Sequence, residues 1–294
     1  MINFRYHIVS LAAVLFALAG GIALGAGALH DDGNVAGFDT TSSEQVDPAL
    51  ASFDDAYAKR TAPILLAGQL AGQTVTIFTL PGAAGDQVDG VVNAINSAGG
   101  SVVNKVTLLP KLIDSSGRQF AEGVAQQSTS GVAGMPTDGD SYARIGAALA
   151  RAFLAKDPVA SDAAGATASS AFVQGKLIEV DGALTKRGSL ALVIAGASEP
   201  DSDEGQADIV QALASAFDTA SKGAVVAGPS ASSSTGGFLQ VIRSGPVAAT
   251  VSTVDVLETP GGRNVVALVL AKEKAGASGA FGTSRSSNGP LPAG

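Results

Sequence analysis

From Ile8 to Leu29 the chain reads IVSLAAVLFALAGGIALGAGAL, without one charged side chain. As an α-helix this run is about 33 Å long, which matches the hydrocarbon thickness of a bilayer. Arg5 and His7 precede it and Asp31 and Asp32 follow it, so the positive-inside bias places the N-terminus in the cytoplasm and the rest of the chain outside. A cleaved secretory signal is the competing reading, with Ala26-Gly27-Ala28 as the cleavage site. The run outlasts the roughly 7 to 15 residues of a signal core, which favours a retained anchor. Ala13, Ala17, Gly21 and Gly25 recur four apart on one face, where small side chains let two membrane helices pack closely. The expected partners are therefore the membrane and a second copy of the chain, as a homodimer or larger oligomer.

The roughly 265 residues beyond the anchor suffice for a folded body with a substantial core. Their apolar runs are too short to cross a bilayer as helices. They also lack the many alternating segments of about ten residues that build a membrane β-barrel. Net charge is -8 and no Lys or Arg cluster interrupts it, which sets nucleic acid aside as a partner. Cysteine is absent, so neither disulfides nor thiolates contribute and packing alone must hold the fold.

Residues 33–45 read as a small, polar juxtamembrane linker. Asp47 then caps a helix with Pro48 at its first position, and Leu50, Phe53, Tyr57 and Ile64 draw one apolar stripe along it. That stripe fits a short coiled-coil stalk carried on from the anchor, although Arg60 takes the next seam place; it equally fits a helix packed on its own domain.

Beyond it, Thr74 to Leu80 reads as a strand, Asp86 to Ala98 as a helix and Ser101 to Leu109 as a second strand, so the unit is βαβ with parallel pairing. A helical region from Lys111 to Gln127 and a helix from Tyr142 to Lys156, ended by Pro158, come next. Val159 to Ser170 has the composition of a mobile connection. Strand, helix and strand then repeat: Ser189 to Ala195, a helix capped by Asp203 with Gln206 and bearing Ile209, Val210, Leu213 and Phe217, and Ala224 to Gly228. A short helix runs through Arg243, Ala249 to Val256 forms a further strand, and Thr259 caps a helix from Pro260 to about Lys274.

The expected fold class is α/β: an N-terminal transmembrane helix, then a Rossmann-like three-layer body with a mainly parallel sheet. The expected division is a cytoplasmic stub and membrane helix over residues 1–30, a juxtamembrane linker and helix over 31–71, an extracytoplasmic α/β domain over 72–274, and a Gly-, Ser- and Pro-rich disordered tail over 275–294.

Few residues support chemistry. The loop Gly82 to Gly85 follows the first strand, where doubly wound folds bind phosphate, yet it lacks G-x-G-x-x-G and any P-loop Lys, and Asp86 competes for the same N–H groups. That favours a structural turn. The two histidines, His7 and His30, flank the membrane anchor, so no Ser-His-Asp arrangement is at hand. Asp201, Asp203 and Glu204 read as solvated loop charges ahead of a helix. Cu(I) prefers sulfur, and the chain carries Met1 and Met135 alone. His30 with Asp31 and Asp32 is the one candidate for a divalent ion at the membrane surface, beside the plainer reading of polar residues ending a membrane helix. No enzymatic activity and no bound cofactor are expected.

Two stretches carry a resemblance. Phe4-Arg5-Tyr6-His7-Ile8-Val9-Ser10-Leu11-Ala12-Ala13-Val14, with Leu18-Ala19 and Gly21 to Gly25, is similar to the opening of the actinobacterial copper-transport (MctB-like) family. Ser252, Thr253, Val254 and Asp255, then Thr259, Pro260, Gly262 and Arg263, and Gly276, Gly279 and Phe281-Gly282, resemble that family's C-terminal signature. The resemblance implies an envelope protein associated with copper efflux and homeostasis, described in the family as an outer-membrane channel, with copper as transported ion. Related corynebacterial members are linked instead to a septal complex that controls peptidoglycan hydrolysis during cell separation, which implies an envelope protein partner and no metal role. The chain departs from the family pattern in its shorter helix after the anchor and in Ala280, where a histidine is expected before the aromatic-glycine pair.

Overall fold

The computed structural model describes residues 48–136, 140–197 and 205–292. The expected membrane span with its small-residue face (Ala13, Ala17, Gly21, Gly25), the trio His30, Asp31 and Asp32, the cap Asp47 and the acidic loop Asp201, Asp203 and Glu204 all lie outside these residues. Among the described residues, no helix is long and apolar enough to cross a membrane.

Seven strands form one sheet in the order β4-β2-β1-β6-β7-β8-β9: β1 (Thr74–Thr79), β2 (Ser101–Leu108), β4 (Ile178–Asp181), β6 (Leu190–Ile194), β7 (Ala224–Ala227), β8 (Val251–Asp255) and β9 (Ala280–Gly282). All neighbours pair parallel except β2 with β4. The mixed α/β fold with a mainly parallel sheet is the expected one. Its cause is visible in the side chains: β6 and β7 are apolar on both faces, β1 and β8 are almost wholly buried, and successive residues feed opposite layers. Val75, Ile77, Leu192 and Val225 enter one core, while Phe78, Val193 and Val226 enter the other.

The first core lies under helices α1 (Pro48–Leu65), α2 (Gly85–Ser97) and α9 (Pro260–Lys274). The second is covered by α3 (Pro110–Ile113), α4 (Arg118–Ser128), α5 (Ser141–Phe153), α6 (Ala163–Gln174), α7 (Gln206–Ala220) and α8 (Phe238–Ser244). Phe78 anchors that side, stacked on Phe217 at 4.2 Å and edge-on to Phe153 at 6.1 Å.

Four sequence readings need correction. Helix α5 stops at Phe153, ahead of Pro158, because the Phe153 carbonyl accepts from the Thr76 hydroxyl at 3.0 Å and Leu154 turns extended to bridge Gly188. The stretch Val159 to Ser170 is ordered: Val159–Ala160 forms β3 against β5 (Lys186–Arg187), and Asp162 caps α6 by accepting from the Gly165 N–H at 2.8 Å. Gln206 is the first residue of α7, with Gly205 at the cap position, and its amide donates to Asp114 at 2.9 Å. The tail from Gly276 is folded, and Ala280–Gly282 supplies the seventh strand.

One buried acid has no counter-charge. Glu273 of α9 is 3% exposed and its Oε1 has no hydrogen-bond partner. Burial, reinforced by nearby Asp218, pushes its carboxyl up from 4.5 to about 7 against the opposing bond from Ser252. A raised acid binds more protons in the native state, so its stability contribution is intact below 4.5 and is lost as pH rises through about 7. Glu273→Gln is therefore expected to raise thermal stability at pH 8, by on the order of 3 kcal/mol at most, and to leave it little changed at pH 4. Melting curves of the two chains across that range check this; a parallel shift at every pH would contradict it.

Candidate functional site

Strand β8 carries Ser252 to Asp255 of the residues singled out near the C-terminus, and the structure joins Thr253 and Asp255 in one polar junction. Asp255 ends the strand fully buried, and Arg243 reaches it from α8 with 4% of its side chain exposed. Arg243 Nη1 donates to Asp255 Oδ2 at 2.6 Å, Nε donates to the Thr253 hydroxyl at 2.7 Å, and Nη2 donates to the Phe281 carbonyl at 3.0 Å. Nη1 also meets the hydroxyls of Ser284 and Ser286. Asp255 Oδ1 accepts from the Thr283 N–H at 2.7 Å, and Oδ2 accepts from the Ser284 N–H at 3.4 Å. Ser252 belongs to the same edge, its hydroxyl accepting from the Gly279 N–H at 2.9 Å.

Two glycines make this approach feasible. Gly282 sits at φ +129°, and a Cβ there would stand 2.0 Å from Asp255 Oδ1. Gly262 lies so close to β8's exit that a Cβ would fall 1.8 Å from the Val256 carbonyl oxygen. Thr259 starts α9 with its hydroxyl accepting from the Gly262 N–H at 3.0 Å, and Pro260 fills the first helical position, where no N–H is needed. Val254 completes the motif as a core residue. Arg263 then ties α9 to α2: Nε donates to the Leu257 carbonyl at 2.9 Å, and Nη2 reaches Asp86 at 3.3 Å.

The arrangement fastens; it presents no free nucleophile. Each guanidinium nitrogen of Arg243 and each oxygen of Asp255 is already engaged. A cavity of about 140 Å³ remains beside Arg243, between Thr253, Ala280 and Asn288. Ala280, the position departing from the expected histidine, lines it. Sequence reasoning missed Arg243 as the centre of the cluster, since a lone arginine near the end of a short helix reads as a solvated charge.

Elsewhere the loop after β1 is a turn. Gly82 lies at φ +80°, and a Cβ on Gly196, beyond β6, would stand 2.5 Å from its carbonyl carbon. Backbone thus meets backbone between the ends of β1 and β6, where open parallel sheets usually bind ligands. Among the described residues, no group of three or more His, Asp or Glu side chains is placed to hold a metal.

These features define a doubly wound α/β domain whose C-terminal tail is clamped into the sheet by a buried arginine–aspartate pair. The sequence matches the family described as "Copper transport outer membrane protein, MctB" over residues 1–292, and the chain belongs to that family. This is a transport family and not an enzyme family. Proteins named copper transporter MctB from Mycobacterium bovis and Mycobacterium tuberculosis are similar to it, at 28% identity over 139 residues. That similarity spans 44% of this chain and 44% of each relative, less than half their length.

Because a buried charge left without its partner is costly, Arg243→Met is expected to destabilise the fold by about 3 to 5 kcal/mol. It should also expose residues 276–292 to protease before the remainder of the body. Urea unfolding with limited proteolysis tests both; a loss under about 1 kcal/mol would show that the clamp is not structural.

Proposed function

We propose that this protein is a non-enzymatic, membrane-tethered envelope protein that supports copper efflux by assembling with copies of itself and with other envelope proteins. The observation that carries this reading is the outer face of α1. Leu50, Phe53, Tyr57 and Ile64 are 61%, 65%, 63% and 84% exposed. The opposite face holds to the body through buried Ala62 and through the Asn264 amide, which donates to the Ala58 carbonyl at 3.1 Å. The stripe follows heptad spacing and begins directly after the segment expected to link the helix to the membrane, which supports a short parallel pairing of two stalks.

Metal chemistry points the same way. Cuprous ion favours thiolate and thioether ligands, cysteine is absent and the chain has two methionines. The copper path is therefore supplied by the assembly and not by a site within one body. A regulator of septal peptidoglycan hydrolysis is the competing reading.

The lack of native cysteine makes a direct test available. Tyr57→Cys in the full chain is expected to give a disulfide-linked dimer in oxidised membranes, while Lys59→Cys, on another exposed side of α1, remains monomeric. Replacing Phe53 and Tyr57 together by Glu should abolish crosslinking through a reporter at Ile64→Cys and lower the copper tolerance of a deletion strain carrying that variant. Unchanged copper tolerance in the deletion strain, with cells failing to separate, would overturn copper efflux in favour of the septal role.

A further inference from the structure

A wide opening among the described residues lies on the layer opposite α1 and owes nothing to the copper reading. Helices α5 and α7 meet tightly at Gly146, where a Cβ would stand 2.7 Å from the Ala216 Cβ. Alongside this contact both helices present alanine: Ala143, Ala147 and Ala150 from α5, and Ala212, Ala216 and Ala220 from α7. Side chains this short cannot fill the space between the helices, and an open groove of about 800 Å³ is left, with Met135 and Pro136 on its rim. That volume falls within the roughly 300 to 1,000 Å³ of small-molecule sites, which pair an apolar wall with a few placed polar groups.

The polar groups stand together at the C-terminal end of α5. Arg151 and Arg187 both line the groove, and they share one carboxylate: Asp162 Oδ2 is 2.7 Å from Arg151 Nη2 and 3.5 Å from Arg187 Nη2. One positive charge is left over, in a protein whose net charge is -8. Arg151 Nη1 and Arg187 Nε are moreover buried without any acceptor. A guanidinium whose charge is not neutralised matches a carboxylate in geometry and charge. The rows of alanine run along the helices, with Ser215 and Thr219 beside them, so the matching tail is long, narrow and mainly apolar.

We propose that the groove between α5 and α7 binds a long-chain fatty acid, its carboxylate at Arg151 and Arg187 and its acyl chain along the alanines. The test uses the full chain in phosphatidylcholine nanodiscs titrated with radiolabelled palmitate, with empty nanodiscs as the partition baseline. Saturable binding of one palmitate per chain above that baseline is expected. Ala147→Phe should fill the groove and weaken binding about tenfold or more; Thr219→Phe, at an exposed rim position, should do the same without disturbing the core. Arg187→Gln should weaken palmitate about tenfold and leave hexadecanol, which lacks the charge, unaffected. No excess over empty nanodiscs overturns the proposal, as does an excess that neither phenylalanine variant reduces. Capture of an apolar peptide ending in a free carboxylate, with no palmitate bound, would assign the groove to a protein partner instead.

Discussion

The contact between Arg243 and Asp255 sets the terms for the C-terminal part of the chain. Neither group tolerates burial alone, since desolvating one ion costs several kcal/mol and is offset only by close, fully hydrogen-bonded pairing. Here the pairing is completed by the segment that would otherwise be a loose end: the Phe281 carbonyl and the N–H groups of Thr283 and Ser284 fill the places that water would take. The tail is thus a structural member, and β9 follows from it. An open edge on β8 would leave unpaired N–H and C=O groups ready to recruit another strand; the clamp covers that edge with the chain's own residues.

A second polar lock does comparable work in the middle of the sheet. The Asn104 amide donates to the Thr76 hydroxyl at 3.1 Å and to the Lys186 carbonyl at 2.9 Å, while Thr76 in turn donates to the carbonyl that ends α5. Through these bonds β1 and β2 decide where α5 stops, and so where Arg151 stands at the mouth of the alanine-lined groove. With Gly82 and Gly196 in backbone contact at the strand ends, the body's accessible features lie on its outer helices, the stripe of α1 on one side and the groove of α5 and α7 on the other.

Much of this architecture is legible in the chain because its signals are local. Thr74 to Leu80 and Ser189 to Ala195 are continuous apolar runs bounded by turn residues, and such runs become buried parallel strands. Thr259-Pro260 marks a helix start whatever the rest of the fold does. The readings that failed depend on distant partners or on composition without contrast. Alanine-rich 163–174 shows no apolar stripe, because alanine serves a core and a surface equally; Asp162 as cap was the readable clue. The glycine- and serine-rich tail has the composition of disorder, and the group that orders it, Arg243, stands some 40 residues earlier in sequence. Ser252 to Asp255 were legible as a family signature, whereas their task as a clamp was not, since half of the clamp is backbone.

Membership of a copper-transport family and the inventory of side chains constrain each other. A protein that carried copper within a single body would need soft donors converging at one point, and the sulfur of this chain is confined to Met1 and Met135. Oxygen ligands are abundant, but several are committed: Asp162 to two arginines, Asp255 to the tail, Asp86 to Arg263. What such a body can offer an efflux system is geometry. Helix α1 is fixed to the core along one face and turns large apolar side chains outward along the other, so pairing through that outward face would hold two bodies in a defined orientation. If the proposed pairing holds, copper function should follow the integrity of that assembly more closely than the identity of any single ligand.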